Sequence, residues 1–193
     1  EVAVTPFASP MHPLSRTLLA FLLSASSLAA AEPAVQVTKE VAFLAADRDE
    51  KLDLYLPVPP PAGKLSPAMV WIHGGGWTGG TKNEARAANV ATTLANAGYV
   101  VVSIDYRLGA GAWPTNLHDC KNAVRYLRAN AEKFRLDPNR IAVAGGSAGG
   151  HLALMVALTA GMPDFEPVGA ATPHPGFSSA VRCVINMYGP TNI

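Results

Sequence analysis

Charge is scarce in this chain. Only 15% of its 193 residues are Asp, Glu, Lys or Arg, and 15 basic against 14 acidic groups leave a net charge of +1. The basic residues are scattered through expected helices rather than clustered. The electrostatic footprint that nucleic acid requires is therefore missing, and no nucleic-acid partner is expected. Cysteine is almost absent as well. Cys120 and Cys183 alone make neither a disulfide framework nor a zinc-ligand pattern. Both lie in apolar surroundings, where a buried free thiol is the expected state, and a bridge between them would require an exported chain. No internal repeat or low-complexity segment stands out, so one domain with a sizeable core is expected.

The apolar stretch Thr17–Leu28 (TLLAFLLSASSL) is too short to span a bilayer. Its setting suggests another use. Arg16 precedes it, Ala29-Ala30-Ala31 follow before Glu32, and Pro33 comes close behind, so residues Met11–Ala31 read as a secretory signal. No cysteine follows the cleavage point to take a lipid, so no stable membrane anchor is expected and a secreted or periplasmic location is. Residues 1–10 then stand upstream of a start at Met11 as a non-native or over-extended segment. The chain opens on Glu1 and stops soon after an apolar strand, so both ends read as cut.

From residue 32 onward the pattern alternates. Two β-rich runs, Val35–Ala46 and Lys51–Val58, come first without a helix between them, and the second alternates polar and apolar as a half-exposed antiparallel strand does. Ala68–His73 is a continuous apolar run. A helix is expected over Lys82–Ala97 with Gly98 at its C-terminal cap, then a buried strand at Tyr99–Ile104. A long helix follows over Thr115–Phe134, then a turn at Asp137-Pro138 and a strand from Ile141. The next helix reaches about Ala160, and a Pro- and Gly-rich loop leads to a last strand, Val181–Met187. Near-continuous apolar strands alternating with helices predict an α/β fold whose mostly parallel sheet is covered on both faces. In such sheets the working residues gather at the carboxyl ends of the strands. The loops 73–77, 105–108 and 145–149 fall there.

The 145–149 loop is the most specific of the three. Arg140–His151 reads RIAVAGGSAGGH, an apolar strand running into Gly145-Gly146-Ser147-Ala148-Gly149-Gly150 and then into an apolar helix. A serine on a strand-to-helix turn stands exposed above the sheet, and glycine neighbours relieve the crowding there. The first free amides and the positive dipole end of the helix face any anion forming beside it. By itself the motif fits either a nucleophile or a glycine-rich turn without chemistry.

Together, His73-Gly74-Gly75-Gly76-Trp77, Asp105-Tyr106-Arg107-Leu108 and Gly145–His151 resemble the α/β-hydrolase fold, and within it the hormone-sensitive-lipase-like esterases. The similarity runs over about residues 35–193 and is greatest to exported bacterial acetyl- and feruloyl-type esterases. It implies a carboxylic-ester hydrolase with an acyl-serine intermediate, acting on small-molecule or polysaccharide-linked esters of the acetyl or feruloyl kind, without metal or cofactor. By the same resemblance Ser147 is the nucleophile, and the amides of Gly75, Gly76 and Ala148 form the oxyanion hole. His73, Gly74, Asp105, Gly145 and Gly149 support them. The loop Gly109–Pro114 departs from the acidic, proline-containing sequence usual after the tyrosine-arginine motif. A serine peptidase of the prolyl-oligopeptidase type and a non-catalytic hydrolase-fold binding module stand as alternatives.

The remaining titratable groups read as structural. His73 anchors its loop, His151 packs one turn below Ser147, His118-Asp119 opens a helix, and Asp105 can pair with Arg107. A serine needs a base and the base a carboxylate, in the chain order serine, acid, histidine. Asp164, Glu166 and His174 come too soon after Ser147 to be assigned, and the family resemblance implies that both partners lie beyond Ile193, with Val181–Met187 left as an open sheet edge.

Overall fold

The structure, a computed structural model, describes residues 34–192. The expected signal segment Met11–Ala31 and residues 1–10 lie outside the described residues. Six strands form one sheet in the order β1-β2-β4-β3-β5-β6. They are β1 (Ala34–Val41), β2 (Leu52–Val58), β3 (Ser66–Ile72), β4 (Val100–Ile104), β5 (Leu136–Gly146) and β6 (Cys183–Met187). β1 pairs antiparallel with β2 and β2 antiparallel with β4, whereas the β4-β3-β5-β6 pairings are all parallel.

The central strands β3 and β4 are almost continuously apolar because helices cover both faces. Along β3, Val70 and Ile72 point into one core while Met69 and Trp71 point into the other, and all four are buried. The first face is packed by α2 (Thr115–Ala129) and α4 (Ala148–Leu158), which contribute Leu117, Cys120, Val124, Leu152 and Val156. On the other face α1 (Ala85–Asn96) presents Ala87, Ala91 and Ala95, one per turn, so that it can lie close on Tyr55 and Trp71. Gly98, with φ +89°, closes α1 by donating its N–H to Ala95 O at 2.9 Å.

Several expected elements differ in extent. β1 stops at Val41, five residues short of the predicted run. A bulge between Thr38 and Val41 puts Glu40 at φ 57°, where its N–H reaches Asp53 Oδ1 (3.1 Å). The predicted helix over Thr115–Phe134 breaks at Asn130, and a short α3 (Ala131–Phe134) ends on Arg135 in the left-handed conformation. β5 starts at Leu136, before Asp137-Pro138. Its register jumps from Ser66↔Leu136 to Ala68↔Ile141, so the predicted turn is a bulge within the strand. Both cysteines are free, but only Cys120 is buried. Cys183 is exposed on β6, which pairs with β5 alone, so its apolar sequence neighbours did not imply burial.

The cations of α2 are not scattered in space. Lys121, Arg125 and Arg128 lie along one side of the helix and hold the segment between α4 and β6. Lys121 Nζ donates to Thr159 O and Glu166 Oε1, both at 2.8 Å. Arg125 pairs with Glu166 Oε2 and donates to Phe177 O, and Arg128 donates to Ser178 O and to Ala180 O. Ser179 Oγ (2.7 Å) and Gly161 N (2.9 Å) complete the shell around Glu166. Glu166 is thereby committed to the scaffold.

A second network joins two loops to α2. Arg48 donates to Glu50 (2.9 Å) and Asp119 (2.7 Å), and Arg107 Nε donates to Glu50 (2.9 Å). Burial works against ionisation of Glu50, but its hydrogen bonds from Arg48 and Arg107 prevail and hold it at about 2. Glu166 is also lowered: burial again opposes, and the bonds from Lys121 and Ser179 outweigh it. Both carboxylates bind protons less readily folded than unfolded. Their stabilisation is therefore complete above an unfolded value of about 4.3 and is lost as the pH falls towards 2. Urea midpoints should fall steadily below pH 5, and Glu50→Gln should make that fall shallower. An identical profile for the variant would contradict the assignment.

Candidate active site

The parallel register sets the site. Ile72 pairs with Ile104 across β3–β4 and with Gly145 across β3–β5, and Gly146 pairs with Met187 across β5–β6. Four adjacent strands thus end level, and the loops beginning at His73, Asp105, Ser147 and Tyr188 emerge side by side. The three loops picked out in the sequence converge on one end of the sheet.

Ser147 sits between β5 and α4 with φ 53° and ψ −123°, a conformation that costs a non-glycine residue about 1–3 kcal/mol. It is exposed, although its flanks Gly146 and Ala148 are buried. The turn is kept by its N–H, which donates to Met187 O (2.9 Å), and by its carbonyl, which accepts from His151 N (3.1 Å). The glycines two residues either side are demanded by packing. A Cβ on Gly149 would overlap Ile72 O and His73 O, and one on Gly145 would lie 2.7 Å from Ile72 O as well as running into Gly149. Strand β3 and the first turn of α4 therefore touch backbone to backbone.

The 73–77 loop leans on this turn, with the position of a Cβ on Gly74 only 3.0 Å from Gly146 O. Gly75 (φ +113°) and Gly76 (φ +60°) then turn the chain back, and Gly75 O accepts from Thr78 N and Gly79 N. The amides of Gly75, Gly76 and Ala148 donate to no backbone acceptor among the described residues outside regular elements, and the two glycines are exposed beside Ser147. His73 pins the loop. Its Nδ1–H donates to Gly74 O (2.7 Å), its ring stacks on Tyr106 at 4.3 Å, and Tyr106 Oη donates to His73 O (3.0 Å). Desolvation lowers the His73 pKa, so the ring stays neutral, with Nε2 buried and without a partner among the described residues.

Asp105 does not pair with Arg107. It accepts from Lys82 N (2.8 Å) and Lys82 Nζ (3.1 Å), while Arg107 turns to Glu50. Each side chain meets a nearer opposite charge, so Asp105 ties the start of α1 to the end of β4. Asp119 is fully buried and accepts from Arg48 and from Arg107 N (2.9 Å), which makes it structural, and His118 does not bond to it.

Among the described residues no side chain hydrogen-bonds to Ser147 Oγ. His151 packs edge-on to Trp77 at 5.4 Å, with Nδ1 buried and unpartnered and its pKa lowered by desolvation. His174 packs near Tyr126 and Phe177, Asp164 is exposed on a short 3-10 turn (Pro163–Phe165), and Glu166 is committed to α2. Among the described residues no group of three or more His, Cys, Asp or Glu could hold a metal ion.

Two features escaped sequence reasoning. The segment Met187–Gly189 braces the serine turn: a Cβ on Gly146 would lie 2.8 Å from Tyr188 Oη, and Gly189 N donates to Asn186 Oδ1 (2.7 Å). Its position at the end of a parallel strand was the available signal. Beside the turn, a cavity of about 400 Å³ is lined by Trp77, the Gly109–Trp113 loop, Asn116, His151 and Met155. The loop that departs from the usual family sequence forms its wall, fixed by Gly109 N donating to Trp77 O (2.9 Å).

This sheet order, with a serine turn and a glycine loop at adjacent strand ends, is that of an α/β hydrolase. The chain belongs to the BD-FAE family, whose sequence profile matches residues 52–193. It is 39% identical over 127 residues to Esterase LipC of Mycobacterium tuberculosis, covering 65% of this chain and 30% of that protein. To Carboxylesterase NlhH of the same species it is 40% identical over 101 residues, covering 51% and 31%. Among solved structures, a truncated carbohydrate esterase from gut microbiota superimposes with a TM-score of 0.68 at 29% identity, covering 80% of this chain and 57% of that one. Est2 of Thermogutta terrifontis does so at 0.63 and 30%, covering 82% and 54%. The chain thus spans about a third of the length of these curated relatives and just over half of the solved ones.

Proposed function

We propose that this chain carries the nucleophile half of a serine carboxylic-ester hydrolase. The observation that carries the reading is the exposed, strained Ser147 beside the amides of Gly75, Gly76 and Ala148, which meet no acceptor among the described residues. In this reading Ser147 Oγ attacks the ester carbonyl, the proton passes to a histidine, and the carbonyl oxygen gathers negative charge beside those amides. Each such donor is worth on the order of 3 kcal/mol in the transition state. Collapse expels the alcohol and leaves an acyl-serine, which water then cleaves. None of the described imidazoles or carboxylates bonds to Ser147, so the histidine and its carboxylate are assigned to chain outside the described residues. His73, Gly74, Gly145 and Gly149 act as scaffold to the site, and Asp105 holds the loops behind it.

Acetyl and feruloyl esters of polysaccharide are the proposed substrates, supported by the apolar cavity beside the serine and by the likeness to the gut carbohydrate esterase. Residues Met11–Ala31 are proposed as an export signal, in keeping with an extracellular polymer as substrate. In the full-length protein, rapid mixing with p-nitrophenyl acetate should give a burst of p-nitrophenol equal to the enzyme concentration, followed by slower steady turnover. Release that is linear from time zero and absent after fluorophosphonate treatment would instead mean that deacylation is fast, and no release at all would favour a non-catalytic module.

A further inference from the structure

The cavity that reaches from Trp77 to His151, four residues after Ser147, has mostly apolar walls and two polar side chains, Asn116 and His151. Trp77, Ala112, Trp113 and Met155 supply the apolar surface, and Trp113 is steadied by an edge-on contact with Phe165 at 6.3 Å. Gly109, Gly111 and Ala112 keep the wall thin. Asn116, 4% exposed, stands at the first turn of α2 and lines the same cavity. Its Oδ1 is already taken by Leu117 N at 2.8 Å. Its Nδ2, with two hydrogens to give, meets no acceptor among the described residues. It is not among the buried atoms shut off from solvent, so it is open to the cavity, where a ligand oxygen can replace water as its acceptor. A donor presented to a cavity of this size is the arrangement that fixes the orientation of a small ligand.

We propose that Asn116 sets substrate specificity in this site by donating from Nδ2 to an oxygen borne on the ring-like group that fills the cavity. The proposal rests on the esterase reading of Ser147 and extends it. The tryptophan and methionine surfaces take the flat apolar face of the ring, and Asn116 selects rings carrying an oxygen over bare ones. The same chemistry could arrive on either side of the ester bond, as a substituted aryl acyl group or as a substituted aryl alcohol. A matched pair of esters separates the two cases.

The experiment measures kcat/KM of the full-length enzyme for methyl ferulate against methyl cinnamate, and for 4-methoxyphenyl acetate against phenyl acetate. The wild type should prefer the oxygenated ester about tenfold in one of the two pairs, the worth of one hydrogen bond, and that pair identifies the side of the ester that enters the cavity. Asn116→Asp keeps the acceptor that caps Leu117 N but removes the donor, and should bring that ratio to one or below. Asn116→Leu removes both groups, and its folding is checked by thermal unfolding before its ratio is read. No preference in either pair, or a preference that survives in both variants, overturns the assignment of Asn116 and leaves the esterase reading standing. Absence of turnover of all four esters and of p-nitrophenyl acetate by the wild type overturns both.

Discussion

Replacing Ser147 by alanine in the full-length protein should lower kcat for p-nitrophenyl acetate by about 10⁶, the scale seen when a serine nucleophile is removed from a working triad. The fold should survive. Ser147 is held through its backbone, by Met187 O and His151 N, and its side chain makes no hydrogen bond among the described residues. Alanine keeps those bonds, although it inherits the strained φ of 53°. Thermal unfolding should therefore change little while turnover disappears, and KM for residual hydrolysis should stay near that of the wild type. A variant that retained a tenth of the activity would remove Ser147 from the chemistry.

Replacing Glu166 by alanine should act in the opposite way, on stability before activity. Its carboxylate answers Lys121, which is fully buried, and Arg125, which is nearly so. It also accepts from Ser179 Oγ and Gly161 N. Without it two cations remain out of water with little to balance them. Breaking one side of a buried ion pair in this manner costs about 3–5 kcal/mol. The part of Glu166 that reaches solvent places the expected loss near the lower figure. Equilibrium urea unfolding measures it, and a loss below about 1 kcal/mol, the worth of an exposed pair, would show that the α2 clamp carries little of the fold. Glu166→Gln should fall between alanine and wild type, because it keeps the hydrogen-bonding shape without the charge.

The site was legible in the sequence wherever backbone geometry dictated residue type. Gly145 and Gly149 are glycine because Ile72 O and His73 O leave no room for a Cβ. Gly75 and Gly76 occupy positive φ. Requirements of that kind appear in the sequence as short spaced motifs. The sheet was readable for a similar reason: burial of both faces erases alternation, and Met69–Ile72 shows it. Charge partners were not readable. Asp105 and Arg107 are two residues apart, yet their partners, Lys82 and Glu50, lie 23 and 57 positions from them in the chain. Distant pairings of this kind leave no local pattern. The same holds for Lys121, Arg125 and Arg128, which look dispersed until the 161–180 segment folds across them. Cys183 failed for another reason. Apolar neighbours in a strand signal burial only for side chains that another element covers: Val184 of β6 packs against the core, whereas Cys183 and Ile185 alternate with it and stay exposed.

The most direct test is covalent capture. A fluorophosphonate probe reacts with a serine only where an activated hydroxyl stands beside donors able to hold the phosphonyl oxygen, so it reads the nucleophile and the oxyanion site together. Mass spectrometry of the digested full-length protein should find one adduct, on the peptide containing Ser147, formed at one probe per chain and absent from Ser147→Ala. The 193-residue chain should label far more slowly, since none of its described histidines bonds to that serine. An adduct on any other serine of the full-length protein, or none at all, would contradict the account.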